Sequence, residues 1–181
     1  MTERAYFPVP FSDVRITGPF WRERLEIVLE HTIPSQHAKL AEVGILESAK
    51  LPQPPPPLRI PRNSHGVTMQ LFWDSDFGKW IEAASYALAH RRDQDIEAKI
   101  EAIIDDLERA QSPDGYLNCW YNGREPENRW TNLRDNHELY IARILSVAPL
   151  ASMRLMMAQR SATDLASRSI FVTTSTSTSQ R

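Results

Sequence analysis

The fold of this chain is decided by residues 77–110, which read FGKWIEAASYALAHRRDQDIEAKIEAIIDDLERA. Apolar residues recur there at the i, i+3, i+4 and i+7 spacing that places one buried stripe on an α-helix. The stripe of the first half, Phe77–His90, is Trp80, Ile81, Ala84, Ala87 and Leu88, and that of the second half, Ile96–Ala110, is Ile96, Ile100, Ile103, Ile104, Leu107 and Ala110. The link Arg91–Asp95 is short, which predicts antiparallel neighbouring helices, the second capped by Asp93 or Asp95.

Composition excludes several classes of protein. The chain has 181 residues and a formal net charge of -2, which gives no electrostatic case for binding nucleic acid or an anionic membrane. No apolar run approaches the ~20 residues that span a bilayer, and Met1–Pro10 lacks the apolar core of a signal peptide. Cys119 is the single cysteine, which excludes an intrachain disulfide and a cysteine-rich metal site. We therefore expect a cytoplasmic chain of one domain with no nucleic-acid partner, no membrane and no cofactor.

The segments before the hairpin carry weaker signals. Residues 1–18 predict an extended N-terminal arm. A helix is predicted from Pro19 to about Glu30, and after an interruption at Pro34 a second one over Ser35–Ala41. The residues predicted to face inwards from the first helix are Phe20, Leu25, Val28 and Leu29.

Two further sequence signals precede the hairpin. The run Lys50–Pro61 holds six prolines and favours polyproline II, either as a stiff surface crossing or as a ligand for proline-recognising modules. Asp74 or Ser75 is predicted to cap the first hairpin helix.

After the hairpin, the sequence predicts a turn and then a long polar loop. Pro113-Asp114-Gly115 has the residues that a tight turn requires. The stretch from Cys119 to Asn136 is rich in Trp, Tyr, Asn and Arg. Long loops of this composition beside a helical scaffold are often functional. The mixture suits a carbohydrate, and it equally suits a solvated loop pinned by a few aromatic side chains.

Four segments, taken in order, resemble segments of the β-L-arabinofuranosidase-like enzymes, glycoside hydrolase family 127. They are Phe11–Trp21, Trp73–Ala83, Gln111–Asn118 and Asn132–Tyr140. The resemblance covers about residues 11–140. It implies an all-α fold for residues 19–140: a partial (α/α)6 barrel, or six-hairpin toroid, of antiparallel helix pairs, the N-terminal part of the catalytic domain. It also implies a carbohydrate substrate and hydrolysis of non-reducing-end arabinofuranosides.

The resemblance does not supply a catalytic centre. In those enzymes the zinc ligands, the nucleophilic cysteine and the acid/base glutamate lie C-terminal to the block that matches Asn136–Tyr140, and none has a counterpart here. Cys119 matches none of them and is expected to be an inert loop thiol. We therefore expect zinc in the full-length family enzyme but no catalytic residue and no metal ligand in this chain, which is predicted to be inactive alone.

Six residues are predicted to bind the sugar. They are His137, Phe72, Trp73, Asp74, Asp76 and Tyr116. The resemblance places His137 at the family's substrate-contacting histidine, and it places the residues before the first hairpin helix at the barrel mouth, one or two of them lining the subsite. Glu138 is expected to brace the barrel interior.

The last segment, residues 141–181, departs from the family pattern. It is Met-rich up to Gln159 and alternates Thr with Ser over Thr173–Ser179, which predicts a frameshifted or disordered tail. The alternative is a genuine C-terminus that varies within the family. An incomplete helical ring leaves apolar stripes uncovered, so poor solubility is expected.

The sequence also fits two other functions. The chain could be a non-catalytic helical carbohydrate-binding or interaction module that uses Trp120, Tyr121, Trp130 and His137. It could also be a structural helical domain whose proline run recruits a partner.

Overall fold

A computed structural model describes residue 9 and residues 14–50 and 69–146 of the chain. Its elements are α1 (Pro19–Ile27), a π-helical turn (Val28–Thr32), α2 (Ile33–Glu42), α3 (Ile45–Ser48), a 3-10 turn (Met69–Phe72), α4 (Trp73–Leu88), α5 (Gln94–Ala110), α6 (Cys119–Gly123), a second 3-10 turn (Pro126–Asn128) and α7 (138–146). No β-strand occurs in these ranges. The described part of the chain is therefore all-helical, as the sequence predicted.

Helices α4 and α5 form the predicted hairpin. Every apolar position assigned to the two stripes is buried, and these residues join one hydrophobic core. Asp93 is the residue that caps α5: its Oδ1 accepts the backbone N–H of Asp95 at 3.0 Å and that of Ile96 at 3.1 Å. These bonds satisfy two donors that have no partner within the helix. The hairpin prediction is confirmed.

The first two helices are joined without a break. Ile33 N–H donates to the carbonyl of Val28, five residues back, which is the π-helical pattern. Pro34 follows directly in the first turn of α2. Proline has no N–H to donate to the preceding turn, and a widened turn accommodates that loss. The predicted interruption at Pro34 is thus a local change of helical pitch.

The inward face of this long helical run differs from the prediction. Phe20 is 56% exposed, so its assignment to the core was wrong. Leu29 is buried as predicted, and Leu25 and Val28 are partly buried and pack against the core. Ile33 is buried as well, and Trp80 Nε1 of α4 donates to the Ile33 carbonyl at 3.0 Å. The packed face therefore begins one to two turns later than the sequence suggested.

The predicted side-chain cap of α4 was also wrong. Helix α4 begins at Trp73, and the residue before it, Phe72, makes no side-chain cap. Ser75 Oγ donates to the Phe72 carbonyl at 2.7 Å, while the Asp74 carboxylate accepts the Cys119 N–H at 2.7 Å. Asp74 thus serves the N-terminus of α6, where a carboxylate is favoured.

Gly78 permits α7 to pack closely on α4. A Cβ at this position would lie 2.6 Å from Ile144 Cγ2 and 3.4 Å from Leu145 Cδ2. The first distance is far shorter than van der Waals contact, and the Ile144 methyl branches directly from its own Cβ. Glycine at this crossing is therefore a packing requirement.

Gly78→Ala is expected to lower the free energy of unfolding by about 1 kcal/mol. Overpacking costs about 1–3 kcal/mol, and the better helix propensity of alanine returns up to about 1 kcal/mol. Urea denaturation measures the change. Because Ile144→Ala removes the methyl group that a Cβ at position 78 would meet, the double variant should lose less free energy of unfolding than the sum of the losses in the two single variants. A stabilised Gly78→Ala chain would contradict this packing.

Several predicted segments lie outside the described residues. They include most of the arm, the proline run and the tail beyond residue 146. Within the arm, residues 14–17 have no regular secondary structure, and the first helix begins at Pro19.

Candidate functional site

Five aromatic side chains from four parts of the fold form two groups in ring contact, and Phe72 of the first group also packs against the buried residues that include Tyr116 of the second. We call Phe72, Tyr116, Trp130, His137 and Tyr140 the aromatic cluster. Ring centroids of Phe72 and His137 are 4.6 Å apart, those of His137 and Tyr140 are 6.1 Å apart, and those of Tyr116 and Trp130 are 5.0 Å apart. All three pairs meet edge to face, a favourable arrangement for aromatic rings. Trp130 is 45% and Tyr140 39% exposed, so each group reaches the solvent.

The predicted turn after α5 places Tyr116. Gly115 has φ 84° and donates its N–H to the Ser112 carbonyl at 2.8 Å, and Asp114 Oδ1 accepts the Tyr116 N–H at 3.2 Å. Glycine tolerates this left-handed conformation and aspartate stabilises the turn through its own backbone bond. The Arg129 guanidinium pairs with Asp114 at 2.8 Å and lowers the pKa of that carboxyl. The sequence prediction of the turn is confirmed.

A buried carboxylate, that of Glu138, lies beneath the cluster. It is 2% exposed and accepts the Tyr116 hydroxyl, and its two oxygens accept the Trp130 N–H at 3.1 and 3.0 Å. Burial and the bond to Glu138 raise the pKa of Tyr116, so the phenol stays protonated and donates. The Arg129 guanidinium carbon stands 3.6 Å from the centre of the Tyr116 ring.

His137 has the geometry of a polar contact point. Its Nδ1 lies 3.0 Å from the Asp135 carbonyl oxygen, and because a carbonyl can only accept, Nδ1 carries the proton. In a neutral ring, Nε2 is then the acceptor, able to receive the hydrogen of a ligand hydroxyl. His137 is exposed and has φ 54°, an uncommon backbone conformation for a residue with a side chain.

The six predicted sugar-binding residues fall into four places. Phe72, Tyr116 and His137 belong to the aromatic cluster. Trp73 is buried in the main hydrophobic core. Asp76 Oδ1 lies 3.8 Å from Lys79 Nζ. Both residues line a groove of about 420 Å³ between α2 and α4, apart from the aromatic cluster.

The remaining candidate, Asp74, is buried and bonded to a backbone N–H. Burial raises its pKa from 3.8 to about 6. The structure therefore gives Trp73 and Asp74 roles inside the protein, and their part in a sugar subsite stays a prediction. Tyr140 was absent from the predicted set, although it lies in the first turn of α7 with its ring 6.1 Å from that of His137.

The described residues do not fit a metal ion. No group of three His, Cys, Asp or Glu side chains converges anywhere in residues 14–50 and 69–146. Cys119 is the first residue of α6, not a loop thiol as predicted, and burial raises its thiol pKa well above the ordinary value. A zinc-bound cysteine must be a thiolate, so this environment does not suit one.

The family model of the β-L-arabinofuranosidase GH127 catalytic domain matches residues 13–173. The chain belongs to glycoside hydrolase family 127. It is 29% identical over 147 residues to the non-reducing end β-L-arabinofuranosidase of Bifidobacterium longum subsp. longum, covering 71% of this chain and 22% of that enzyme.

Solved structures of the same family share the fold. One is a β-L-arabinofuranosidase from Geobacillus stearothermophilus T6, with 34% identity and a TM-score of 0.66 over 79% of this chain. A second, a β-arabinofuranosidase, has 30% identity and a TM-score of 0.67 over 82% of this chain. The prediction of an all-α fold that forms part of an (α/α)6 barrel is confirmed.

The family 127 chain spans only part of these relatives: 22% and 24% of the two solved chains. The family match continues past Tyr140 to residue 173, into the segment 141–181 that was predicted to depart from the family pattern. The domain boundary at residue 140 stays a prediction. Each helix in the described ranges is too short or too polar to span a bilayer.

Proposed function

We propose that the aromatic cluster forms one wall of the sugar-binding subsite of a glycoside hydrolase that acts on non-reducing-end arabinofuranosides. The observation that carries the proposal is the contact between His137 and Phe72, with ring centroids 4.6 Å apart, beside the exposed ring of Tyr140. Family membership supports a carbohydrate as substrate, and the named relatives are arabinofuranosidases.

Each kind of side chain in the cluster has a use against a furanose ring. The faces of Trp130 and Tyr140 offer flat apolar surface for sugar C–H groups. The unprotonated nitrogen of His137 accepts a ring hydroxyl proton. Hydrogen bonds from a rigid site to a sugar hydroxyl also give specificity, because an analogue lacking that hydroxyl leaves a polar group unpaired.

The chemical step belongs to residues other than these. The resemblance assigns the nucleophile, the acid/base and the zinc ligands of the complete enzyme to segments with no counterpart in this sequence. The zinc would activate a cysteine thiolate there. We propose that this chain contributes substrate binding and orientation, and that alone it gives no turnover of a chromogenic arabinofuranoside.

His137→Gln is expected to weaken binding of methyl β-L-arabinofuranoside about three- to tenfold, since a hydrogen bond contributes about 0.5–1.5 kcal/mol. The variant loses the imidazole acceptor and the ring contact with Phe72. Titration followed by tryptophan fluorescence or by NMR of the labelled chain measures the affinity.

A matched control is His31→Gln, an exposed histidine in the π-helical turn, far along the chain from the cluster. Its affinity should equal that of the unmodified chain. Equal affinity in His137→Gln would contradict the proposed subsite. Tight binding of many unrelated sugars by the unmodified chain would instead favour a non-catalytic carbohydrate-binding module.

A further inference from the structure

We propose that Glu138 is a positioning residue: its buried carboxylate fixes the loop between Trp130 and His137 and thereby orients the His137 imidazole. The value of that orientation for sugar binding rests on the proposed function. The contacts that define it do not.

The first support is where the carboxylate bonds go. Both oxygens of Glu138 accept the N–H of Trp130, eight residues earlier, and one of them accepts the hydroxyl of Tyr116. Bonds between a charged acceptor and N–H or O–H donors are about twice as strong as neutral ones. One side chain thus closes the 130–137 loop and joins it to the turn after α5.

The second support is the backbone at the two ends of this loop. Trp130 has φ 62° and His137 has φ 54°, and within residues 14–50 and 69–146 no other residue besides glycine has a positive φ. Such conformations persist only where surrounding interactions hold them. One of these residues donates its N–H to Glu138, and the other directly precedes it.

The contacts of the His137 ring itself depend on the position of the loop. Its ring nitrogen bonds to the Asp135 carbonyl within the same loop, so this bond moves with the loop. The ring contacts with Phe72 and Tyr140 are edge-to-face and depend on where the loop places the imidazole. Two side chains link the loop to the buried part of the protein: Glu138, through the Trp130 N–H and the Tyr116 hydroxyl, and Asn136, whose Nδ2 donates to the hydroxyl of the buried Tyr121 at 2.6 Å. Glu138 is the one that holds the Trp130 end of the loop.

Glu138→Gln tests the inference in the full chain. Glutamine keeps the size but puts an NH₂ donor in place of one acceptor oxygen, and either oxygen position faces the Trp130 N–H, which is itself a donor. We expect the NMR cross-relaxation between the His137 and Phe72 rings to weaken at least threefold, while the far-UV circular dichroism stays helical. The matched control is Glu97→Gln, another carboxylate with two hydrogen bonds, which it accepts from Arg92. It should leave the ring contact unchanged.

Sugar affinity separates positioning from general stability. Glu138→Gln should weaken binding of methyl β-L-arabinofuranoside as much as His137→Gln does, and the double variant should be no weaker than either. Additive losses would overturn the proposal. If the unmodified chain binds no arabinofuranoside, the proposed function fails, and the ring contact still decides the role of Glu138.

A measurement on the unmodified chain covers the case in which Glu138→Gln does not fold. The Trp130 amide lies in a loop, yet its hydrogen is held by a buried carboxylate. We expect its exchange with solvent to be at least tenfold slower than that of the exposed loop residue Leu133. Exchange at the same rate would overturn the proposal.

Discussion

Replacing Phe77 with alanine is expected to lower the free energy of unfolding by about 3–5 kcal/mol. The side chain is 0% exposed and lies in the core that joins the hairpin to α2 and α7. Alanine removes the whole ring, and a rigid helical core cannot close over a gap of that size. Because small domains are stable by only about 5–15 kcal/mol, the variant should be largely unfolded at moderate urea concentration.

The matched control is the same substitution at an exposed phenylalanine, Phe20. Its ring is 56% exposed and contacts Trp21 and Arg24 at the surface. Phe20→Ala should change the free energy of unfolding by less than about 1 kcal/mol, within the range of surface substitutions. Urea unfolding followed by far-UV circular dichroism measures both. Equal losses in the two variants would contradict the placement of Phe77 at the centre of the core.

The contrast between Phe77 and Phe20 shows which buried positions helical periodicity can predict. The stripes of α4 and α5 are long, and each repeats over several turns, so their buried faces were predicted correctly. Phe20 stands in the first turn of α1, where a short pattern cannot specify which side meets the core. The π-helical turn at Val28–Thr32 adds a residue to one turn and so rotates the face of α2 relative to that of α1, which no periodic pattern anticipates.

The candidate site was predictable only in part, for a similar reason. Phe72 and Trp73 are neighbours in sequence, yet one ring meets His137 and the other lies in the main core. Chain order gives no information on which aromatic faces which side. The family resemblance supplied His137, whereas the role of Glu138 depends on bonds to residues 8 and 22 positions away, which only the folded chain brings within reach.

The Asp74 carboxylate accepts the backbone N–H of Cys119, which lies 45 residues away in sequence. Burial raises the pKa of this carboxyl from 3.8 to about 6 in the folded chain. Because the Asp74 carboxyl binds its proton more tightly in the folded chain than in the unfolded chain, the free energy of unfolding is greater at low pH. Its stabilisation is complete below pH 3.8 and is lost as the pH rises through about 6. The loss amounts to about 3 kcal/mol.

Asp74→Asn removes this titration and keeps an oxygen that can accept the Cys119 N–H. The free energy of unfolding of the unmodified chain, less that of the variant, should therefore fall by about 3 kcal/mol between about pH 3 and about pH 7. Urea titrations at a series of pH values give this difference. Asp114→Asn is the control of opposite sign, because Arg129 lowers the pKa of the exposed Asp114 carboxyl. Its difference should be smaller and should rise with pH. Parallel profiles for the unmodified chain and Asp74→Asn would show that the Asp74 carboxyl is not desolvated, and the packing of α6 against α4 would then have to be looser than the 2.7 Å bond implies.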